Sequence, residues 1–162
     1  MTDKTRLLGP EPLVLARVEA FSNDAAFAAA FAAHIGAPPP VAGRWSEGAN
    51  ARLYFAEEKA WYIEAEAGPL ALKFAGLAGV SDISGAFRRL RLEGPATLEV
   101  LSLETYFPTA DRGLKPGDLV ATLLRHAPVL VVVHDPEHVD LLVPPSYVAD
   151  MAEGLERAIL RL

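Results

Sequence analysis

The feature that most constrains this chain is the stretch 80–95, VSDISGAFRRLRLEGP. It lies mid-sequence, between two halves with similar element patterns. It reads as a bent strand, 80–84 and then 86–93, broken at Gly85. In the second part Leu90 and Leu92 alternate with Arg89, Arg91 and Glu93, giving one apolar and one charged face. Gly94-Pro95 ends the strand. Proline is tolerated at a first helical position, because the N–H it lacks would have no partner there. The densest basic group of the sequence, Arg88, Arg89 and Arg91, falls on this stretch. It suits docking onto an acidic surface of a larger chain, since arginine pairs bidentately with carboxylates. The competing reading is a solvated strand face.

Around this stretch the chain alternates helices and strands. The polar start, 1–12, contains two prolines and reads as a mobile arm. A strand is expected over 13–20. Ser22-Asn23-Asp24 offers a helix cap with an acidic residue in the first turn. Phe27, Phe31 and Ile35, spaced by four, form one helical stripe that Gly36 and Pro38-Pro39-Pro40 terminate. Residues 41–50 read as a loop. A hairpin follows, 51–56 with 60–65, placing Trp61 and Tyr62 on opposite faces. Residues 70–80 read as a short helix ending near Gly76–Gly79.

After the central stretch come a helix over 96–103, strands at 119–125 and 129–133 with a turn at His126-Ala127-Pro128, and a third strand at 139–143. The continuous apolar run 129–133 suggests a strand covered on both faces. Ser146 is the expected cap of a last helix with a stripe of Val148, Met151, Leu155, Ala158, Ile159 and Leu162. Gly154 inside that helix costs roughly 1 kcal/mol against alanine, so a close packing contact is expected there. The fold class is α+β: one domain of two βαββα-like halves, about 13–79 and 80–162, each an antiparallel sheet with helices on one face.

Composition removes several functions. The 162 residues include no cysteine, so disulfide scaffolds, thiolate metal sites and cysteine nucleophiles are excluded. A net charge of −6 argues against general nucleic-acid binding. The start carries no signal-peptide pattern, and the longest apolar run is too short to span a bilayer, so a cytoplasmic protein without membrane contact is expected. There is no dinucleotide fingerprint, phosphate loop, H-E-x-x-H or G-x-S-x-G elbow.

The remaining candidates each have a plain alternative. His134-Asp135-Pro136-Glu137-His138 holds two histidines and two carboxylates, but reads as a polar turn and not a metal site. Asp82 reads as a strand-end carboxylate bonding nearby N–H groups, with a ligand contact as the competing reading. Trp61, Tyr106 and Phe107 are candidate interface anchors, because aromatics dominate partner surfaces.

Taken together, VSDISGAFRRLRLEGP, the short helix after it, Ala121-Thr122-Leu123-Leu124 and Leu142-Val143-Pro144-Pro145-Ser146-Tyr147 resemble the gamma subunit family of heterotetrameric sarcosine oxidase. The resemblance covers 77–162 and extends to the first half through element order. The pattern is similar, more distantly, to the folate-binding aminomethyltransferase superfamily. It departs from the family at Ser102-Leu103-Glu104, where members often carry a cysteine, and members tend to be longer at the N-terminus. These departures leave room for a divergent paralogue acting with a complex for another N-methyl compound.

The resemblance implies an accessory subunit with no catalytic residues or metal of its own. It would pack against larger alpha, beta and delta subunits that carry FAD, FMN, NAD and tetrahydrofolate. Self-association of the isolated chain is a further expectation. The alternative is a small stand-alone folate-binding or one-carbon-transfer protein with a pocket between the halves, where the more distant resemblance implies that Asp82 could face a pterin ring or an amine.

Overall fold

The computed structural model describes residues 4–105 and 113–162. In chain order the elements are β1 (Arg6–Pro12), β2 (Ala16–Ala20), α1 (Ala25–Ile35), β3 (Trp45–Glu47), β4 (Arg52–Glu57), β5 (Ala60–Ile63), α2 (Ala67–Lys73) and β6 (Ala78–Asp82). They continue with β7 (Arg88–Glu93), α3 (Thr97–Glu104), β8 (Leu119–Leu124), β9 (Ala127–Asp135), β10 (His138–Val143), a 3₁₀ turn (Pro145–Tyr147) and α4 (Val148–Ile159). The class is α+β, as the sequence predicts. The chain forms two compact units, one of Leu13–Ser84 and one of Gly85–Leu162 joined by the N-terminal residues through Pro12.

In the unit Leu13–Ser84 a five-stranded antiparallel sheet runs β3-β4-β5-β2-β6. Asp24 caps α1 by accepting from the Phe27 N–H at 3.0 Å, so the acidic residue expected in the first turn is the cap itself. Gly36 ends the helix at φ 80°, in the left-handed region that glycine adopts without steric cost. Phe27, Phe31 and Ile35 are the buried stripe, as the spacing requires. Phe27 stacks on Trp61 at 5.3 Å and lies 5.7 Å from Phe74. Such aromatic pairs add about 0.5–1.5 kcal/mol each beyond burial. Ala16, Val18, Leu53 and Ile63 complete the core from the sheet.

In the other unit the sheet runs β1-β7-β10-β9-β8, again antiparallel. Leu90, Leu92, Val139, Leu141, Val131 and Val133 turn one face toward Val100 and Leu101 of α3 and Met151, Leu155 and Ala158 of α4. Glu153 and Arg157 pair along the outer side of α4. Gly154 is buried because the Arg125 side chain packs on it: a Cβ there would lie 2.4 Å from Arg125 Cδ. The close contact expected for this glycine is thus an arginine, held in turn by Glu104 at 2.8 Å.

Several expectations are corrected. The N-terminal arm is the edge strand β1, paired with β7 and tied by Arg6 to Glu93 at 2.9 Å. Its prolines fit an edge, where a missing N–H costs no ladder bond. The bent strand at 80–93 is two strands in two sheets: β6 pairs with β2, β7 with β1 and β10, and Gly85 opens the second unit. Val80 is therefore in a strand, because α2 ends at Lys73. The loop at 41–50 contains the short strand β3.

The β8–β9 turn is Arg125-His126, with φ of 48° and 71°, the paired left-handed conformation that two-residue hairpins use. β9 reaches Asp135 and is an interior strand, paired on one side with β10 and on the other with β8. Ser146 makes no cap bond; a 3₁₀ turn leads into α4. Leu162 is 55% exposed and leaves the predicted stripe.

Gly94 generates a prediction. Its φ is 126°, and a Cβ would meet the Thr5 backbone at 2.5 Å, beside the bond from the Ala96 N–H to Thr5 Oγ1 at 2.8 Å. Gly94→Ala should destabilise the protein by about 2 kcal/mol or more, through backbone strain and loss of the β1 contact. Urea unfolding followed by circular dichroism measures it.

Candidate functional site

Asp140 is the centre of the densest group of ionisable side chains among the described residues. It lies in β10 with no exposed surface. Alternation along β10 turns Val139 and Leu141 into the core, so Asp140 and His138 share the opposite face. The register places Asp140 opposite Arg91 on β7 and opposite Val132 on β9. Arg89 and Arg91, two residues apart on β7, come to the same face, as does His134 of β9.

The geometry is an ion-pair network. Arg91 Nε donates to Asp140 Oδ1 at 2.7 Å, and its second nitrogen reaches Oδ2 at 3.3 Å. Arg89 Nε lies 3.3 Å from Oδ2, with Glu11 of β1 at 3.7 Å on its other side. His134 Nε2 is 2.9 Å from Oδ2. An ionised carboxylate only accepts, so this nitrogen carries the proton. The His138 ring stacks on His134 at 4.2 Å and 16°, and its Nε2 lies 3.8 Å from Oδ1, buried and without a hydrogen bond.

The charges follow from these distances. Burial alone would raise the Asp140 carboxyl. The His134 and Arg91 hydrogen bonds and the charge of Arg89 outweigh it and hold the group well below the usual carboxylate range. Arg91 is raised by its bond to the same carboxylate. Burial, and then the neighbouring His134, push His138 below the ordinary histidine value.

The donor atoms of His134, His138 and Asp140 lie within 4.8 Å of one another, close enough to consider a metal. The arrangement does not favour one. Histidine nitrogens must converge on a metal at about 2.0–2.1 Å. Rings stacked nearly parallel aim their nitrogens side by side instead. Both Asp140 oxygens already meet guanidinium groups, whose charge repels a cation.

The expected polar turn at 134–138 is therefore corrected in one respect. Only Pro136-Glu137 turns, helped by Asp135 accepting from the Glu137 N–H at 2.8 Å, while both histidines belong to strands and face Asp140. A cleft of about 340 Å³ adjoins the network, lined by Lys4, Arg6, Glu93, Asp135, Glu137 and His138.

The residues singled out in the sequence are placed as follows. Arg88 is half-buried and its guanidinium donates to the Phe87 carbonyl at 3.2 Å. Arg89 is 8% exposed and, with Arg91, is committed to Asp140, so the open three-arginine face is corrected to one half-buried arginine beside an internal network. Trp61 is 3% exposed and belongs to the core, with Nε1 donating to the Pro40 carbonyl at 2.9 Å, so it is no surface anchor. Tyr106 and Phe107 lie outside the described residues.

Asp82 ends β6, exposed, and accepts from the Ser84 hydroxyl at 2.6 Å and the Ser84 N–H at 2.9 Å. Ser84 accepts from the Leu15 N–H at 3.0 Å, so the pair ties together the two ends of its unit. These hydrogen bonds hold Asp82 below its ordinary value. Asp140 was not a sequence candidate. Its one signal is a carboxylate inside the apolar run Val139–Val143.

No family model and no curated protein matches the chain. Among solved structures, a chain of the heterotetrameric sarcosine oxidase from Corynebacterium sp. U-96, determined in complex with pyrrole 2-carboxylate, superposes with a TM-score of 0.83. The identity is 20%, over 97% of this chain and 84% of that one. The aminomethyltransferase T of the glycine cleavage system from Bartonella henselae superposes with a TM-score of 0.69 at 16% identity. That match covers 95% of this chain and 46% of the transferase. The fold expected from the resemblance is the fold found.

Two predictions follow from the network. Asp140→Asn leaves the buried Arg89 and the partly buried Arg91 without their shared counter-charge and should cost about 3–5 kcal/mol in urea unfolding. The second concerns acid. A histidine whose folded value is lowered contributes stability that is present above the unfolded value, about 6.5, and is lost as pH falls through the folded value. Urea denaturation midpoints should therefore decrease as pH falls below about 6.5, and His138→Gln should flatten that limb.

Proposed function

We propose that the chain is a gamma-type accessory subunit of a sarcosine-oxidase-type complex acting on sarcosine or a related N-methyl amine. The observation that carries this reading is the extent of the structural match. It spans nearly the whole of this chain and most of its sarcosine oxidase counterpart, but under half of the aminomethyltransferase. The transferase extends well beyond the matched region and the sarcosine oxidase chain does so only slightly, which favours the subunit reading.

The chemistry of the described residues fits a scaffold. Their densest ionisable group is turned inward, with the carboxylate already held by two arginines and a histidine. Such a network fixes geometry and keeps its carboxylate committed to the arginines and His134. FAD, FMN, NAD and tetrahydrofolate belong, on this reading, to larger alpha, beta and delta partner subunits in the cytoplasm, and this chain contributes buried surface to the assembly. Arg88, with Tyr106 and Phe107, stays a candidate for the docking face. Phe21 and Leu72, 66% and 82% exposed, add apolar anchors.

The test is co-purification of the tagged chain from its native cells, with the eluate scanned for flavin absorbance. Yellow eluate containing larger chains is the expected result, and Arg88→Glu should reduce their yield. A colourless chain eluting alone overturns the proposal and makes tetrahydrofolate titration the next measurement.

A further inference from the structure

The two histidines of the ion-pair network are not equivalent. The His134 side chain is enclosed, 11% exposed, and bonds to Asp140 at 2.9 Å. The His138 side chain is 29% exposed and lines the cleft of about 340 Å³, while its Nε2 is buried without a hydrogen bond. A shift of strand register places them so. Asp135 stands opposite His138 but Val133 stands opposite Val139, so His134 is one residue extra in β9. That extra residue stacks its ring on His138 at 4.2 Å. Asp135 stays the cross-strand neighbour of His138 on one side, and Glu93 of β7 on the other.

The charged groups round His138 fall on two sides. The network side holds His134 from β9, Arg89 and Arg91 from β7 with Glu11 of β1 behind them, and the single carboxylate of Asp140. The cleft side holds Lys4 and Arg6 from the N-terminal segment, Glu93 from β7, and Asp135 and Glu137 beside the turn. A proton on His138 is opposed by burial, by His134 and by Arg91. Asp140 and Glu93 favour it, but Asp140 lies 3.8 Å away and is already bonded to Arg91 and His134. In the cleft, Glu93 is paired with Arg6 and Asp135 accepts from the Glu137 N–H. Among the described residues, the Glu137 carboxylate is the one of these three that nothing engages.

We propose that His138 is an acid-driven switch: neutral, its ring stacks on His134; protonated, it swings out of the stack into the cleft and pairs with the Glu137 carboxylate. Two like charges on stacked rings repel, and an orphaned buried nitrogen gives the ring little to hold it in place. The cleft offers the imidazolium water and an unengaged carboxylate instead. The movement is confined to the ring, because the turn backbone is tied. The Glu137 carbonyl accepts from the Gly94 N–H at 2.8 Å and from Thr97 Oγ1 at 3.2 Å. Asp140 keeps Arg89, Arg91 and His134 throughout, so the strand register survives. The outcome is a cleft open at neutral pH and occupied by the protein's own imidazolium in acid. It does not depend on the accessory-subunit reading.

Nuclear magnetic resonance of the full chain tests this. The ring protons of its four histidines are followed from about pH 8 to about pH 5, with His134→Gln and His138→Gln assigning the pair. At the upper end, cross-relaxation between the His134 and His138 rings should be strong. It should vanish together with the titration of His138, in one step with a midpoint below about 6.5, while circular dichroism stays native. Glu137 is exposed and outside the network, so Glu137→Gln leaves the fold intact and should lower that midpoint by roughly 0.3 pH unit. Ring contact that persists through the titration overturns the proposal. So does loss of the contact only on unfolding, or a midpoint that Glu137→Gln leaves unchanged.

Discussion

A carboxylate with no exposed surface in the middle strand of a sheet sets the terms for the whole second unit. Asp140 is stable there only because Arg89, Arg91 and His134 reach it. An ionised group taken out of water costs several kcal/mol unless it is paired and hydrogen-bonded. That requirement fixes the register of three strands at once. A slip of one residue in β10 would turn Asp140 into the layer of Leu90, Val133 and Leu155 and bring Leu141 out among the arginines. The network thus acts as a register lock, and β1 joins it through Glu11.

The two units reach similar sheets by different routes. One is ordered β3-β4-β5-β2-β6, the other, read the same way, β8-β9-β10-β7-β1. In each, a strand leads to a helix, then to three antiparallel strands, then to a second helix. In the first unit the fifth strand comes from the residues just after α2. In the second, the corresponding place beside β7 is filled by β1, from the opposite end of the sequence. Gly94 marks how closely that strand is fitted, since its bare backbone approaches Thr5.

Local periodicity made much of this legible. The Phe27, Phe31 and Ile35 stripe, the stop at Gly36, the hairpin around Glu58, the helix after Pro95 and the buried side of α4 all rest on spacing and turn chemistry within a few residues. What failed rests on distant partners. β1 looked like an arm because its pairing strand lies some eighty residues on, as the Arg6–Glu93 bond shows. The arginines looked like a surface because Asp140, which buries them, is 49 residues from Arg91. Trp61 looked like an anchor because its partners are on α1 and at Pro40.

The sequence by itself determined the α+β class, most helices and strands, and the resemblance that the structural match supports. It did so because those depend on backbone preference and on the apolar pattern of neighbouring residues. Only the tertiary structure decided where the charges went. A strand face that alternates leucine with arginine can meet water or a buried carboxylate, and the alternation is the same in both cases. Which of the two holds is set by the strand that lies beside it, and hydrogen bonding between strands carries no local signature in either one.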